Sequence, residues 1–228
     1  MTVGEYVTDW SVIFMSKMPE QRWKRRKDAR PQEILDAALA CFATKGFTAT
    51  RMEDIAARGG VTKGTIYLYF ESKEAVFKSL VRGSISGQIA HVAGSIASFQ
   101  GASSDLLRLA LTAIGEFVHT SDYAVLPKII LAEAGNFPEL TRFYREEVID
   151  KGLAAMSGII ARGIKRGEFR KVDPQFAARL CIAPVLLSAV WRTTFGATDP
   201  VPFDYDGFLK THLDTLLRGL AADKEATS

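Results

Sequence analysis

The sequence is poor in several things, and each shortage removes a class of function. It holds 2 cysteines and 3 histidines in 228 residues. Cys41 and Cys181 form no CxxC pair, and His91, His119 and His212 stand alone, so neither a disulfide framework nor a metal-ligand spacing is present. No nucleophile elbow, phosphate loop or HExxH pattern occurs, which leaves catalysis without a sequence signal, and no cofactor motif is seen. Long apolar runs are also missing. The longest, Leu180 to Trp191, is interrupted by Pro184 and Ser188 and falls short of the roughly eighteen residues a membrane span needs. The run Val12-Ile13-Phe14-Met15 is too short for a signal segment and follows acidic residues. A cytoplasmic protein without a membrane partner is expected.

What is present is a core-forming composition, 47% hydrophobic and 24% charged, with a net charge of only +3. The average hides an asymmetry. Residues 17–80 carry 13 Lys/Arg against 8 Asp/Glu, whereas residues 81–228 carry 16 of each. The positive charge is densest at Arg22, Lys24, Arg25, Arg26, Lys27 and Arg30. A basic end suits either a nucleic-acid-facing surface or a solvated charged face.

The hydrophobic period is helical almost throughout, and no hairpin signal stands out, so an all-α fold is predicted. Pro31 suits a first helical position, and Ile34, Leu35, Ala38, Cys41 and Phe42 share one face before Lys45-Gly46 ends the helix. Thr50-Arg51-Met52-Glu53 reads as a capping box opening a second helix, stopped by Gly59-Gly60. Thr62 caps a third, short helix to about Tyr69, and Ser72 caps a fourth over about 73–97. Two short helices joined by a tight glycine turn form a helix-turn-helix, with Ala56 at the crossing and Val61 and Ile66 beneath the bend. Further helices are predicted from Ser103 or Ser104 to about Thr120, over about 122–134, from Asn136-Phe137-Pro138-Glu139 to near Gly167, from Asp173-Pro174, and from Asp204 or Asp206. The chain divides into a leader with a basic arm (1–29), a helix-turn-helix head (30–80), a body (81–222) and a tail (223–228).

The residues from Pro31 to Ala38, then Phe42 with Lys45-Gly46-Phe47, resemble the opening of the tetracycline-repressor (TetR-type) family of transcriptional regulators. So do Thr50 to Ala56 and the run Gly60 to Phe70 with Ser72-Lys73-Glu74. About twenty positions match in order, over about a fifth of the chain. The resemblance implies a ligand-responsive DNA-binding regulator, most simply a repressor released from its operator by a small hydrophobic or aromatic molecule. An activator or a ligand-independent DNA binder of the same fold is the alternative, and an enzyme the rival from another class. It further implies that Thr50, Arg51, Thr62, Lys63, Gly64, Thr65, Tyr67, Tyr69 and Lys73 face double-stranded DNA. Lys63 would reach guanine or phosphate, Gly64 would allow close approach, and the hydroxyls would hold phosphate oxygens.

The body would then bind the effector and form a homodimer, so that two recognition helices meet grooves about 34 Å apart on a pseudo-palindromic operator. Expected pocket residues are His91, Arg108, Phe117, His119, Tyr123, Phe143, Met156 and Trp191, with Phe99 beside them. Expected dimer residues are Leu187, Leu209, Leu213, Leu216, Leu217 and Leu220.

Overall fold

The computed structural model describes residues 25–86, 89, 94, 96 and 98–222. They are helical throughout apart from turns and one isolated bridge between Phe169 and Ala221. Helix α1 spans Arg25–Lys45 and starts earlier than the expected Arg30. Pro31 therefore lies inside the helix, not at its first position. It forfeits one backbone bond near the helix start, and good helix formers on both sides carry the helix across it. The basic residues Arg25, Arg26, Lys27 and Arg30 consequently belong to α1 and not to a separate arm; residues 1–24 lie outside the described residues.

Ile34, Ala38, Cys41 and Phe42 are buried on one face of α1 as the period requires. Gly46 ends the helix with φ +78, and Phe47 folds back so that its ring centroid lies 5.2 Å from that of Phe42. Helix α2 is Met52–Arg58. Gly60, at φ +61, turns the chain so that the Val61 N–H reaches the Ala56 carbonyl at 3.0 Å. Helix α3 is Lys63–Tyr67 and α4 is Lys73–Val81, extended by a π-helical turn at Arg82–Ser86. The Ser72 hydroxyl accepts the Ala75 N–H at 3.1 Å, as the cap reading predicts.

The body consists of α5 (Ser103–Thr120), α6 (Val125–Glu133), α7 (Pro138–Tyr144), α8 (Asp150–Lys165), α9 (Pro174–Thr194) and α10 (Tyr205–Leu220). The long helix expected from Pro138 is interrupted by a π-helical turn, Arg145–Ile149, between α7 and α8. Asp173 and Asp204 cap α9 and α10 through the N–H groups of Gln175 and Gly207, at 2.7 and 3.0 Å. The start of α5 differs from expectation. Ser103 is not its own cap: the Glu168 carboxylate accepts the Ser103 N–H, and Arg162 donates to the Ser103 hydroxyl at 2.9 Å. A carboxylate 65 residues away thus supplies the negative charge that the helix start favours.

Two cores form. One joins α1–α4 to α6 and α7, with Phe42, Phe47, Phe77 and Leu80 packed continuously with Leu126, Ile129, Leu140 and Tyr144. The other joins α5, α8, α9 and α10. The boundary expected at residue 80 therefore crosses a shared core, and the head is not packed by itself. Both cysteines are buried thiols, and burial pushes Cys181 up to about 12.

Helix α9 is longer than its central apolar run suggested. Over 18 of its 21 residues the mean hydropathy reaches 1.3, enough by length and composition alone to cross a membrane. In the fold, however, Ala178, Cys181, Val185 and Ala189 on one side pack inward, while Phe176, Leu180 and Leu187 face out. That is a surface helix with one side in the core and an outer face that is also apolar.

Candidate nucleic-acid interface

The outer surface of α2 and α3 follows from what their inner surfaces must bury. Ile55, Ala56 and Ile66 are buried, and Phe70 anchors the end of the unit. The side chains between those anchors have to point outward. Thr62 caps α3: its hydroxyl accepts the Thr65 N–H at 3.2 Å and lies 2.9 Å from the Thr65 hydroxyl. Lys63 projects from the first turn, with its ammonium 2.5 Å from Glu53 and 5.7 Å from the Tyr67 ring centroid. Glu53 raises the Lys63 pKa, and Lys63 in turn lowers that of Glu53. Both groups are about half exposed, so the pair is weak and readily exchanged for another anion. Tyr67 and Tyr69 are 46% and 37% exposed.

At Gly64 an added Cβ would meet nothing closer than the Thr62 hydroxyl at 3.8 Å. The fold itself therefore leaves room for a side chain there. Arg51 precedes α2 with its side chain exposed, and its N–H donates to Asp54 at 2.9 Å. Lys45 and then the Arg51 N–H hold the Asp54 carboxyl below its ordinary pKa.

Two expected contact residues are placed elsewhere. Thr50 is buried; its hydroxyl donates to the Gly46 carbonyl at 2.7 Å, and Asp54, not Glu53, closes the cap of α2. The cap is shifted by one residue because Thr50 satisfies the end of α1 instead. Lys73 is likewise turned inward. Its ammonium donates to the carbonyls of Phe47, Thr48 and Thr50 at 2.6, 3.2 and 2.9 Å and lies 4.5 Å from the Phe47 ring centroid. Burial lowers its pKa. All three of its donors are engaged by backbone carbonyls, so the half-buried Lys73 latches the 47–50 segment.

The sequence reading missed the other half of this clamp. Glu133, buried at the end of α6, accepts the Thr48 N–H at 3.0 Å, the Thr48 hydroxyl at 2.8 Å and the Asn136 amide at 3.1 Å. A carboxylate closing the otherwise apolar run Ile129-Ile130-Leu131-Ala132 was the available signal. Leu68, exposed between the two tyrosines, was also passed over.

The expected pocket residues do not converge. Arg108 is exposed on α5, and Met156 is part of the second core. His119 lies exposed and stacked on Tyr205 at 4.3 Å, and Phe117 stacks on Tyr123 at 6.3 Å. Phe143 sits beneath Lys78 and Arg82, at 5.6 and 4.9 Å. Trp191 is exposed, with its indole N–H bonded to Asp199 at 2.8 Å. Phe99 lies 5.8 Å from the Arg162 guanidinium. His91 lies outside the described residues. A cavity of about 250 Å³ lies between α4 and the turn before α7, lined by Glu74, Lys78, Asn136 and Phe137–Leu140. An open surface depression of about 330 Å³ lies between the end of α3 and α4, lined by Tyr67–Glu71, Ala75 and Ser79. Neither contains an expected pocket residue.

The expected dimer set also divides. Leu209, Leu213 and Leu220 are buried in the chain's own second core, and Leu216 and Leu217 are half-buried against it. Their stripe was real, but it is covered from within. Only Leu187 of the set lies fully on the outside, on the apolar face of α9. Among the described residues no group of three or more His, Cys, Asp or Glu could hold a metal ion.

A family model described as bacterial regulatory proteins, tetR family, matches residues 34–80. A second, described as the C-terminal domain of AefR-like transcriptional repressors, matches residues 105–217. The chain is 28% identical over 198 residues to the HTH-type transcriptional repressor KstR2 of Rhodococcus jostii, covering 86% of this chain and 93% of that protein. The ketosteroid transcriptional regulator KstR2 of Mycobacterium tuberculosis superposes with a TM-score of 0.66 at 25% identity, over 85% of this chain and 96% of that one. SmeT, solved as a complex with triclosan, superposes with a TM-score of 0.69 at 26% identity, over 86% and 93%.

Proposed function

The chain belongs to the tetR family of bacterial regulatory proteins, and from that premise we propose that it is a cytoplasmic repressor of transcription that binds a two-fold operator as a homodimer. A small hydrophobic or aromatic molecule taken up by the body releases it. The observation that carries the DNA-binding half is the outward set Arg51, Thr62, Lys63, Thr65, Tyr67 and Tyr69 on one helix-turn-helix face. The unfilled space at Gly64 supports a close approach of the groove, since nothing within the chain requires a glycine there. Arg51 and Lys63 supply positive charge, and exchanging the Glu53 partner of Lys63 for a phosphate or guanine costs little.

The dimer reading rests on the outer face of α9, where Phe176, Leu180 and Leu187 stand 68%, 69% and 63% exposed. A contiguous apolar face of this kind is characteristic of a partner contact. The effector class is supported by relatives whose regulators are described with a ketosteroid role and with triclosan. The ligand would favour a body conformation with misplaced recognition helices and so shift the population off DNA.

The test begins with in vitro selection of an operator from a random duplex library. Binding of the selected duplex should be far tighter than binding of random duplex and should weaken steeply with salt. Equal affinity for both would remove the regulator reading. Triclosan and a ketosteroid serve as effector probes. A probe that raises the melting temperature should also release the operator, and one that binds yet leaves operator affinity unchanged counts against the release mechanism.

A further inference from the structure

Leu68 is the most exposed large apolar side chain among the described residues, at 81%. The local geometry explains why it cannot be elsewhere. Beyond α3 the N–H groups of Tyr69 and Phe70 both close on the Ile66 carbonyl at 2.9 Å, which fixes the turn. Ile66 and Phe70 are held in the core, so the residues between them emerge together. Tyr67 has the Lys63 ammonium near its ring, and the Tyr69 ring leans on Phe70 at 6.5 Å. Leu68 projects between them and can neither donate nor accept a hydrogen bond. An isobutyl group in that position gains nothing from phosphate or from the polar edges of guanine, cytosine or adenine. The one apolar feature of the major groove is the C5-methyl of thymine.

We propose that Leu68 is a specificity-determining residue that contacts a thymine methyl in each operator half-site. The proposal rests on the DNA-binding reading above. It makes Leu68, with Lys63 and the hydroxyls, one of the side chains that tell sequences apart, and it makes the requirement at that position a methyl group and not a base edge. A 5-methylcytosine in the same place would be accepted for its methyl, although its exocyclic amine differs from the thymine carbonyl.

Deoxyuridine scanning tests it, because uracil lacks only the methyl of thymine. Operator duplexes from the selection carry one thymine-to-deoxyuridine change at a time, and affinities are measured for the wild-type protein and for Leu68→Ala. At one position per half-site the wild type should lose about fourfold, the value of about 0.8 kcal/mol for one methyl-sized apolar contact. Leu68→Ala should bind the all-thymine operator more weakly and should lose nothing further at that same position. An unchanged melting temperature for the variant excludes misfolding, and the Leu68→Met variant should restore part of the methyl effect. If operator binding is specific but Leu68→Ala retains every deoxyuridine effect of the wild type, the methyl contact is overturned while the regulator reading stands. If no specific operator emerges at all, the regulator reading fails and this inference falls with it.

Discussion

Replacing Glu133 by Ala tests whether the joint between head and body depends on one carboxylate. Its two oxygens take three hydrogen bonds, from the Thr48 N–H, the Thr48 hydroxyl and the Asn136 amide, at 3.0, 2.8 and 3.1 Å. Bonds to a charged acceptor contribute about 1.5–3 kcal/mol each when both partners are sequestered. The Thr48 and Asn136 side chains are only partly covered, so water restores some of what the substitution removes. The full three-bond sum would be about 4.5–9 kcal/mol, and with water restoring much of it a net loss of about 2–3 kcal/mol follows. For a chain of this size that is a fall in melting temperature of about 4–12 °C.

The acid dependence gives a second reading of the same bond set. Burial pushes the Glu133 carboxyl up, but the bonds from Asn136 and Thr48, with Lys73 nearby, outweigh it and leave the pKa below its ordinary 4.5. A carboxyl depressed on folding contributes stability that is fully present above the unfolded value and is lost as the pH falls through the folded value. The gap between wild type and Glu133→Ala should therefore be full at pH 7 and narrow below about pH 4.5. Urea unfolding followed by circular dichroism at pH 7 and at pH 3.5 measures both quantities. Glu133→Ala within 0.5 kcal/mol of wild type at pH 7, an effect no larger than an ordinary surface substitution, would refute the clamp. A gap that does not change with pH would show that the ionised form is not what matters.

The two lysines of the helix-turn-helix should separate cleanly. Lys63→Ala should leave the melting temperature within about 1 °C and reduce the salt slope of operator binding by about one counterion. Lys73→Met should instead destabilise the fold by about 2 kcal/mol, because three carbonyls lose a charged donor, and leave the salt slope unchanged; the reverse pattern would return Lys73 to the DNA surface. Gly64→Ala should hold or raise stability by up to about 1 kcal/mol, since the helix gains propensity and meets no clash, yet lose operator affinity at least tenfold. Leu180→Glu combined with Leu187→Glu should convert a dimer to a monomer by sedimentation without unfolding it; a dimer that survives both changes would move the interface off α9.

Much of the fold was legible because its signals are local. The Thr62, Ser72, Asp173 and Asp204 caps each bond to an N–H two or three residues on, so spacing alone carries them. The ordered Gly60–Phe70 run likewise set the turn, the buried Ile66 and the outward Lys63 and tyrosines. What failed was decided by distant partners. Thr50 and Lys73 look like phosphate ligands from their places near helix starts. Their true acceptors are carbonyls at the end of α1 and the segment after it. Ser103 looks like a cap, but Glu168 reaches it from beyond α8. The leucine stripe of α10 reported that one face is buried and could not report that α5 covers it. Amphipathicity names a face to be covered and is silent about the covering element.

The shared first core bears on how a ligand signal could reach DNA. If the head were an independent unit on a flexible tether, binding in the body would have no mechanical purchase on α3. Instead Leu126, Ile129, Leu140 and Tyr144 pack directly with Phe47, Phe77 and Leu80, and the 47–50 segment is held from two sides. Lys73 grips its carbonyls from α4, and Glu133 grips Thr48 from α6. Both grips act on the link between α1 and α2, and α2 packs on α3. A shift of α6 relative to α4 would pull these grips apart or carry the link with it, and close packing leaves little room for an intermediate response. Glu133 and Lys73, which bond inward at the joint, therefore tie the near-neutral body to the basic head through the same short link.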